Sequence, residues 1–422
     1  MAAAPLPRSD APRGGLDPRQ LRREFPIFEH NPGLVFLDSG ASAQKPRQVI
    51  DGIAEFYRTD YANVHRGVYQ LSARSTDRFE EARAAVRAFL NAADEREIVF
   101  VRGATEAINL VAQSWGAAHL KPGDEVLISD VEHHSNIVPW QMVCQRVGAR
   151  LVVAPTDDTG EFDLARFEAL LSPPTRLVAV THISNVTGAM LPVARIAELA
   201  HAPRGGDGGA LVLIDGCQAV PRLPVDVQAL GCDFYVFSGH KAYGPTGTGV
   251  LYGRYGVLET MPPWQTGGGM ITNVTYEKTE FQEPPHRFEA GTPDIAGAVG
   301  LTQAIGFIEG IGRAAIEAHE VALTGYGVDR LSRIPGVQLV GGGQRRLSIL
   351  SFNLDGVHPH DVGTVLDQHN VAVRVGHHCA QPLMDKLGIM GTVRASFGVY
   401  NDEADIDRLA EAVEACREMF SR

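Results

Sequence analysis

From about residue 97 the chain alternates short apolar runs with helical patterns. EIVFVRG, DEVLISD, ARLVVAP, TRLVAVTHIS, ALVLIDGC, CDFYVFSGH and GTGVLYGR read as strands. They are rich in Val, Ile and Leu and lack strict polar alternation, the pattern of strands covered by helices on both sheet faces. The fold class this predicts is α/β, with a large, seven-stranded, mostly parallel sheet. AINLVAQSWGAA, after RGATE, reads as a helix with Thr105 placed to cap it. Beyond about residue 300 the texture changes. Two helical stretches lead to VQLVGG and RLSILSFNL, a helix starts near HPHDVGTVLDQ, and VAVRVG and TVRASFGVY follow as strands. The last helix, EADIDRLAEAVEACREMF, spaces Ile406, Leu409, Val413 and Cys416 along one face. A smaller α+β C-terminal domain is expected there. The expected organisation is a disordered tail over 1–17 and an N-terminal segment over 18–35 that packs with the small domain. The large domain follows over 36–300 and the small one over 301–422. RGGDGGA, Arg204 to Ala210, reads as a turn, and no internal repeat is visible.

Composition narrows the function classes. A formal net charge of −12 argues against a partner that is nucleic acid or an anionic membrane surface. No apolar run approaches the ~18 residues of a membrane span. The five cysteines are odd in number and scattered without a C-x-x-C pair, which suits a reducing cytoplasm better than a disulfide framework. In the N-terminal tail, Asp10 and Asp17 interrupt the basic character that a transit peptide needs.

Two stretches carry chemistry. In RVGHHCAQPLM, His377 and His378 lie directly against Cys379. Neighbouring side chains of an extended segment point to opposite faces, and zinc sites space their ligands, so no metal is expected here. A thiol nucleophile draws thiolate character from nearby His or Arg, and Arg374, His377 and His378 are at hand. A buried inert thiol is the common fate of Cys, and local features alone leave both readings open. The second stretch, VFSGHKAYGPTGTGVLYG, joins a buried strand to a Gly-rich loop, without the spacing of a nucleotide P-loop. Upstream, Asp215 ends the apolar strand of VLIDGCQAV. Consecutive strands of an α/β sheet present their carboxyl ends on one edge, so Asp215 and Lys241 should face one crevice. That pairing suits pyridoxal phosphate, with lysine as the Schiff-base residue and a carboxylate on the pyridine nitrogen. Ser238, His240 and the amino end of the helix after Arg102-Gly103-Ala104-Thr105 are placed for the phosphate, and His133 for stacking on the ring.

Ten ordered stretches then bring in a family: LDSGASAQKP, NVHRGVYQLS, RGATEAINLV, EHHSNIVPWQ, THISNVTG, DGCQAV, FSGHKAYGPTG, RFEAGTP, RVGHHCAQPLM and VRASFGVYN. From about Pro26 to Met419 the chain resembles the class V aminotransferase-like, fold-type I pyridoxal-phosphate enzymes, and within them the SUF-type (group II) cysteine desulfurases. The compact R-x-G-H-H-C form contrasts with the long Ser-rich cysteine loop of group I relatives. The resemblance implies a cysteine desulfurase that converts L-cysteine to L-alanine, leaves a persulfide on Cys379 and supplies sulfur for iron–sulfur cluster assembly. Selenocysteine lyase or cysteine-sulfinate desulfinase activity is the alternative on the same scaffold. The resemblance also implies a homodimer and a sulfur-acceptor protein of SufE or SufU type. By the same route Lys241 is the Schiff-base lysine, Asp215 the partner of the pyridine nitrogen, Gln218 a donor to the phenolic oxygen and His133 the stacking residue. Thr105, Ser238 and His240 would bind phosphate, with Thr292 arriving from the other subunit. Arg394 and Asn185 would hold the substrate carboxylate, and Arg374 and His65 are supporting residues. Cys217 stands where a small Ala-like residue is expected and reads as a neutral filler. QTGGGMI also departs from the family's Gly/Ser pattern. His134 and His182 read as structural, Cys144, Cys232 and Cys416 as core thiols, and Arg66 as an interface residue.

Overall fold

The computed structural model describes residues 16–157, 160–204, 208–341 and 346–421. The tail expected over 1–17 lies outside them except for its last two residues, as do residues 205–207 of the expected turn.

All seven strands read from the sequence form one sheet. They are β1 (Ile98–Val101), β2 (Glu125–Ser129), β3 (Arg150–Ala154), β4 (Thr175–Thr181), β5 (Leu211–Asp215), β6 (Phe234–Ser238) and β7 (Gly249–Gly253), in the order β1-β7-β6-β5-β4-β2-β3. Only β7 runs against its neighbours. Both faces are buried, so successive residues feed two cores. Leu127, Val178, Val180, Val212, Ile214 and Phe237 pack on one side. Val126, Ile128, Leu177, Ala179, Leu213 and Val236 pack on the other. This is why the strands read as continuous apolar runs.

The C-terminal part builds a second, antiparallel sheet from β8 (Val337–Val340), β9 (Ile349–Leu354), β10 (Arg374–Gly376) and β11 (Thr392–Ser396), in the order β8-β9-β11-β10. The expected single strand VAVRVG is broken in two. Val371–Ala372 pairs in parallel with Val35–Phe36 of the N-terminal segment, and Arg374–Gly376 pairs with β11. The helix Ile295–Ile311 runs through the boundary expected at residue 300, and Arg313–Ser332 follows it. Among the described residues no single helix is long and apolar enough to cross a membrane, and these two pass such a test only as a pair bent by 74°.

The helix of RGATEAINLV spans Ala104–Val111. Thr105 is not its cap. The cap is Gly103 at φ 153, and the first free N–H, that of Ala104, donates to Ser238 Oγ at 2.9 Å. A Cβ on Gly103 would stand 3.1 Å from that hydroxyl, so the close approach of β6 to the helix start favours glycine.

The N-terminal segment is fastened to both parts. Arg22 pairs with Asp405 at 3.1 Å and Arg19 with Asp402 at 3.0 Å. Phe25, fully buried, meets Tyr400, Phe307 and Tyr243 at ring-centroid distances of 4.7, 5.4 and 5.9 Å. Removing a ring at such a junction costs about 3–5 kcal/mol. Phe25→Ala should therefore lower the denaturant midpoint by that much stability with little change in slope. A loss under about 1 kcal/mol would show that the cluster is not a joint.

Candidate active site

The carboxyl ends of β2, β4, β5 and β6 open on one edge of the large sheet, and the small sheet packs across it. Between them lies a cavity of about 210 Å³. Thr105, His133, Asn185, Asp215, Gln218, Ser238, His240, Lys241, Arg374 and Arg394 all line it. Residues spread over some 290 positions of sequence are thereby brought together (394 − 105).

On the large-sheet wall, Asp215 ends β5, and its Oδ1 accepts from Cys217 N–H at 3.0 Å, which fixes the carboxylate plane. The Cys217 side chain also lines the cavity, with Sγ 3.7 Å from Ser238 Oγ. Burial, with Asp215 beside it, pushes this thiol up to about 12, so it stays protonated. Gln218 Nε2 donates to the Gly40 carbonyl at 2.8 Å, while Arg222 donates to Gln218 Oε1 at 3.1 Å. With its oxygen occupied in this way, the amide keeps its nitrogen on the Gly40 side. Arg222 in turn pairs with Glu320 of the helix Arg313–Ser332 at 3.0 Å, and burial raises the Glu320 pKa.

His133 Nδ1 accepts from Ser135 N–H at 3.1 Å and lies 2.8 Å from Ser135 Oγ, so the neutral ring carries its proton on Nε2. Burial first, then the charge of Lys241, lowers its pKa to about 3. The turn that carries it is anchored by Glu132, a fully enclosed carboxyl that accepts from Ser129, Thr181 N–H (2.8 Å) and Asn136 (2.7 Å). Burial pushes Glu132 up to about 8 against those three donors. His240 is likewise neutral, lowered to about 4 by burial and by Lys241 and Lys45. Lys45 Nζ donates to the His240 carbonyl at 2.9 Å, and burial lowers its pKa to about 8.

The opposite wall is positive. Arg374 on β10 and Arg394 on β11 are register partners, and like charges facing each other across strands repel. Arg394, 1% exposed, donates to the Asn185 carbonyl at 2.9 Å and to Asp38 at 3.2 Å, while its Nε is buried without a partner among the described residues. Burial lowers its pKa to about 10, which leaves it a cation at neutral pH. A second carboxylate at this pair would relieve the repulsion. Arg374 Nη2 also stands 3.7 Å from Cys379 Sγ.

Cys379 sits at the rim, the one cysteine of the five that is not buried. Its loop is held from three sides. Asn185 Nδ2 donates to the His378 carbonyl (2.6 Å), His134 N–H donates to the Cys379 carbonyl (2.7 Å), and His134 Nε2 accepts from Gln381 N–H (2.9 Å). Asn185 thus braces the loop through its amide, and His134 is structural, as expected. His182, lowered to about 4 by burial, hydrogen-bonds Tyr235 at 3.0 Å and is also structural.

His65 and Thr292 lie elsewhere in this chain. They share a second hollow, about 400 Å³, with Arg66, Gly268 and Gly269. His65 Nε2 is 3.4 Å from Glu80 Oε1 there. Among the described residues no group of three or more His, Cys, Asp or Glu is placed to hold a metal. Sequence reasoning missed Asp38, Glu132, Arg222 and Glu320. Each also has a partner remote in sequence (Arg394 for Asp38, Thr181 for Glu132, and Arg222 and Glu320 for each other), and the local signal is an acidic residue beside a motif, as Glu132 stands before His133-His134.

A family model described as Aminotransferase class-V matches residues 35–409. The chain is 49% identical over 417 residues to a protein of Mycolicibacterium paratuberculosis named "Probable cysteine desulfurase", covering 98% of this chain but 60% of that relative. It spans 60–66% of the length of that protein and of two similarly close relatives. A "Probable cysteine desulfurase" of Vibrio cholerae is 49% identical over 93% of this chain and 96% of its own length. The crystal structure of the Escherichia coli cysteine desulfurase CsdA superposes with a TM-score of 0.87 at 41% identity, covering 96% of this chain and 99% of that one. With a family match over most of its length and a site assembled on the expected sheet edge, this chain belongs to the class-V aminotransferase family.

Proposed function

We propose that the protein is a pyridoxal-phosphate-dependent cysteine desulfurase that passes sulfur from L-cysteine to Cys379 and releases L-alanine. One juxtaposition carries this reading: the only unburied thiol sits on a loop braced over a cavity walled by Lys241 and Asp215. The residues present fit the cofactor. Lys241 would be the covalent anchor, Asp215 would pair with a ring nitrogen, Gln218 would supply an amide N–H, and neutral His133 would offer a flat ring. Thr105, Ser238, His240 and the orphan N–H groups of the helix start at Ala104 suit a phosphate. Bound pyridoxal phosphate supplies an electron sink beside the substrate Cα.

The chain's own groups do the rest. Arg394, which lines the cavity, would hold the substrate carboxylate, and Arg374 places positive charge beside the acceptor sulfur. Lys241 would hold and move the substrate Cα proton. Cys379 takes the substrate sulfur, one sulfur–sulfur bond forming as the Cβ–S bond breaks. The compact R-x-G-H-H-C loop supports the SUF-type subgroup, iron–sulfur cluster assembly as the destination, and a SufE- or SufU-like acceptor. Five free thiols suit a cytoplasmic setting. We also take the enzyme to be a homodimer in which His65 and Thr292, side by side in their own hollow, complete the partner's site.

Lys241→Ala should abolish the visible absorbance of the bound cofactor and reduce alanine formation at least ~100-fold. Turnover near wild type in that variant would remove the cofactor assignment. Cys379→Ala should keep the cofactor spectrum and substrate binding, lose cysteine desulfurization, and retain part of any selenocysteine activity, because the weaker C–Se bond needs less help. Alanine release from L-cysteine at the wild-type rate would refute the nucleophile. Sedimentation should give a dimer at assay concentration, with Thr292→Ala weakening cofactor retention; a fully active monomer would contradict the shared site.

A further inference from the structure

Two acidic residues tie the hollow shared by His65 and Thr292 to a buried cation, Arg83, on the helix Gln70–Leu90. The Arg83 side chain is 2% exposed. Its Nε donates to Glu80 Oε2 at 2.9 Å. Nη1 and Nη2 donate to the two oxygens of Glu289 at 2.8 and 3.0 Å, and Nη1 donates to the Ile98 carbonyl at 2.8 Å. Glu289 Oε1 also accepts from Phe100 N–H at 2.8 Å. Arg83 and Glu289 are thus seated together on β1, the edge strand of the large sheet.

Each carboxylate leads to one residue of the hollow. Glu80 Oε1 stands 3.4 Å from His65 Nε2, and His65 N–H, in left-handed backbone at φ 66, donates to Thr76 Oγ1 of the same helix at 3.0 Å. Glu289 starts the short segment that carries Thr292. Past it, Gly291 N–H donates to the Gly268 carbonyl at 2.7 Å, and Asp294 accepts from the Thr248 hydroxyl at 2.6 Å. Thr292 therefore hangs between anchored neighbours, and the direction of Glu289 sets its path. A two-pronged arginine–carboxylate pair fixes direction as well as charge. Without the guanidinium, Glu80 and Glu289 would lose their shared cation, and nothing would hold the two segments in one arrangement.

Neither Arg83 nor either glutamate belongs to the described lining of the Lys241 cavity in the same chain. The clamp bears on the hollow instead. We infer that Arg83 is a positioning residue for the neighbouring subunit's active site, acting through Glu80 on His65 and through Glu289 on Thr292; this rests on the shared-site dimer proposed above.

Arg83→Ala would bare two carboxylates and endanger the fold, so the test uses Arg83→Lys, which keeps the cation and loses the fork. Its homodimer should lose at least ~10-fold in kcat/KM for L-cysteine. The apoprotein, titrated by absorbance, should bind pyridoxal phosphate at least ~5-fold more weakly than wild type, while pyridoxal, lacking the phosphate that Thr292 would hold, stays within about twofold. The decisive sample is a mixed dimer, purified through two different tags, that pairs an Arg83→Lys chain with a Lys241→Ala chain. Its complete site takes Lys241 from the first chain and His65 and Thr292 from the second, so the mixed dimer should recover about half the wild-type activity. Activity no higher than that of the Arg83→Lys homodimer would confine Arg83 to its own chain and overturn the inference, as would an Arg83→Lys homodimer within about threefold of wild type. Glu289→Gln, which leaves Arg83 in place, should recover in the same way when paired with Lys241→Ala, and failure there would overturn the inference too. Thr292→Ala paired with Lys241→Ala is the control: no recovery in that dimer would instead remove the shared-site reading beneath it.

Discussion

Arg394 leaves the small sheet almost wholly enclosed, and its guanidinium meets the Asn185 carbonyl of the large sheet's edge and Asp38, just after the N-terminal segment. Three parts of the chain therefore converge on one buried charge. Taking a guanidinium out of water costs several kcal/mol unless its hydrogen bonds are met, so separating these parts would leave it unpaired. This contact joins the two walls of the cavity. Asp38 shares the constraint: burial raises its pKa, and Arg394 works against the rise.

Within that frame the protein controls protons by burial. His133, His240 and His378 all lie far below the usual histidine range, so the positive charge of the cavity belongs to Lys241, Arg374 and Arg394 alone. Neutral rings can stack, donate or accept without adding charge that would compete for the substrate carboxylate. The two thiols of this region differ in their surroundings. Cys217, enclosed beside Asp215, is held as a thiol, whereas Cys379 lies at the rim beside a guanidinium. Their separate fates come from surroundings, since cysteine itself is the same in both places.

The large sheet was legible because burial on both faces leaves an unbroken mark: Val126, Leu127 and Ile128 serve opposite cores in succession, and no polar residue interrupts them. The cluster of Asp215, Ser238 and Lys241 was legible because parallel strands align their carboxyl ends. What failed were features decided by distant pairing. VAVRVG divides because Val371 and Ala372 are claimed by Val35 and Phe36, while Arg374 is claimed by β11. The role expected of Thr105 falls to Ser238, which accepts from the Ala104 N–H 134 residues away in sequence, because β6 brings its hydroxyl to the helix start. Arg222 and Glu320 stand in no motif, and only the ion pair between the segment after β5 and the helix Arg313–Ser332 makes them the support of Gln218.

The central claim is that sulfur moves from substrate to Cys379. Mixing the holoenzyme with one equivalent of L-cysteine, quenching with an alkylating agent and mapping peptides by mass spectrometry tests it directly. The account predicts one additional sulfur atom on the peptide that contains Cys379, in step with one alanine released, and none on Cys144, Cys217, Cys232 or Cys416. Alanine formed without sulfur on Cys379, or sulfur carried by one of the buried cysteines, would contradict it.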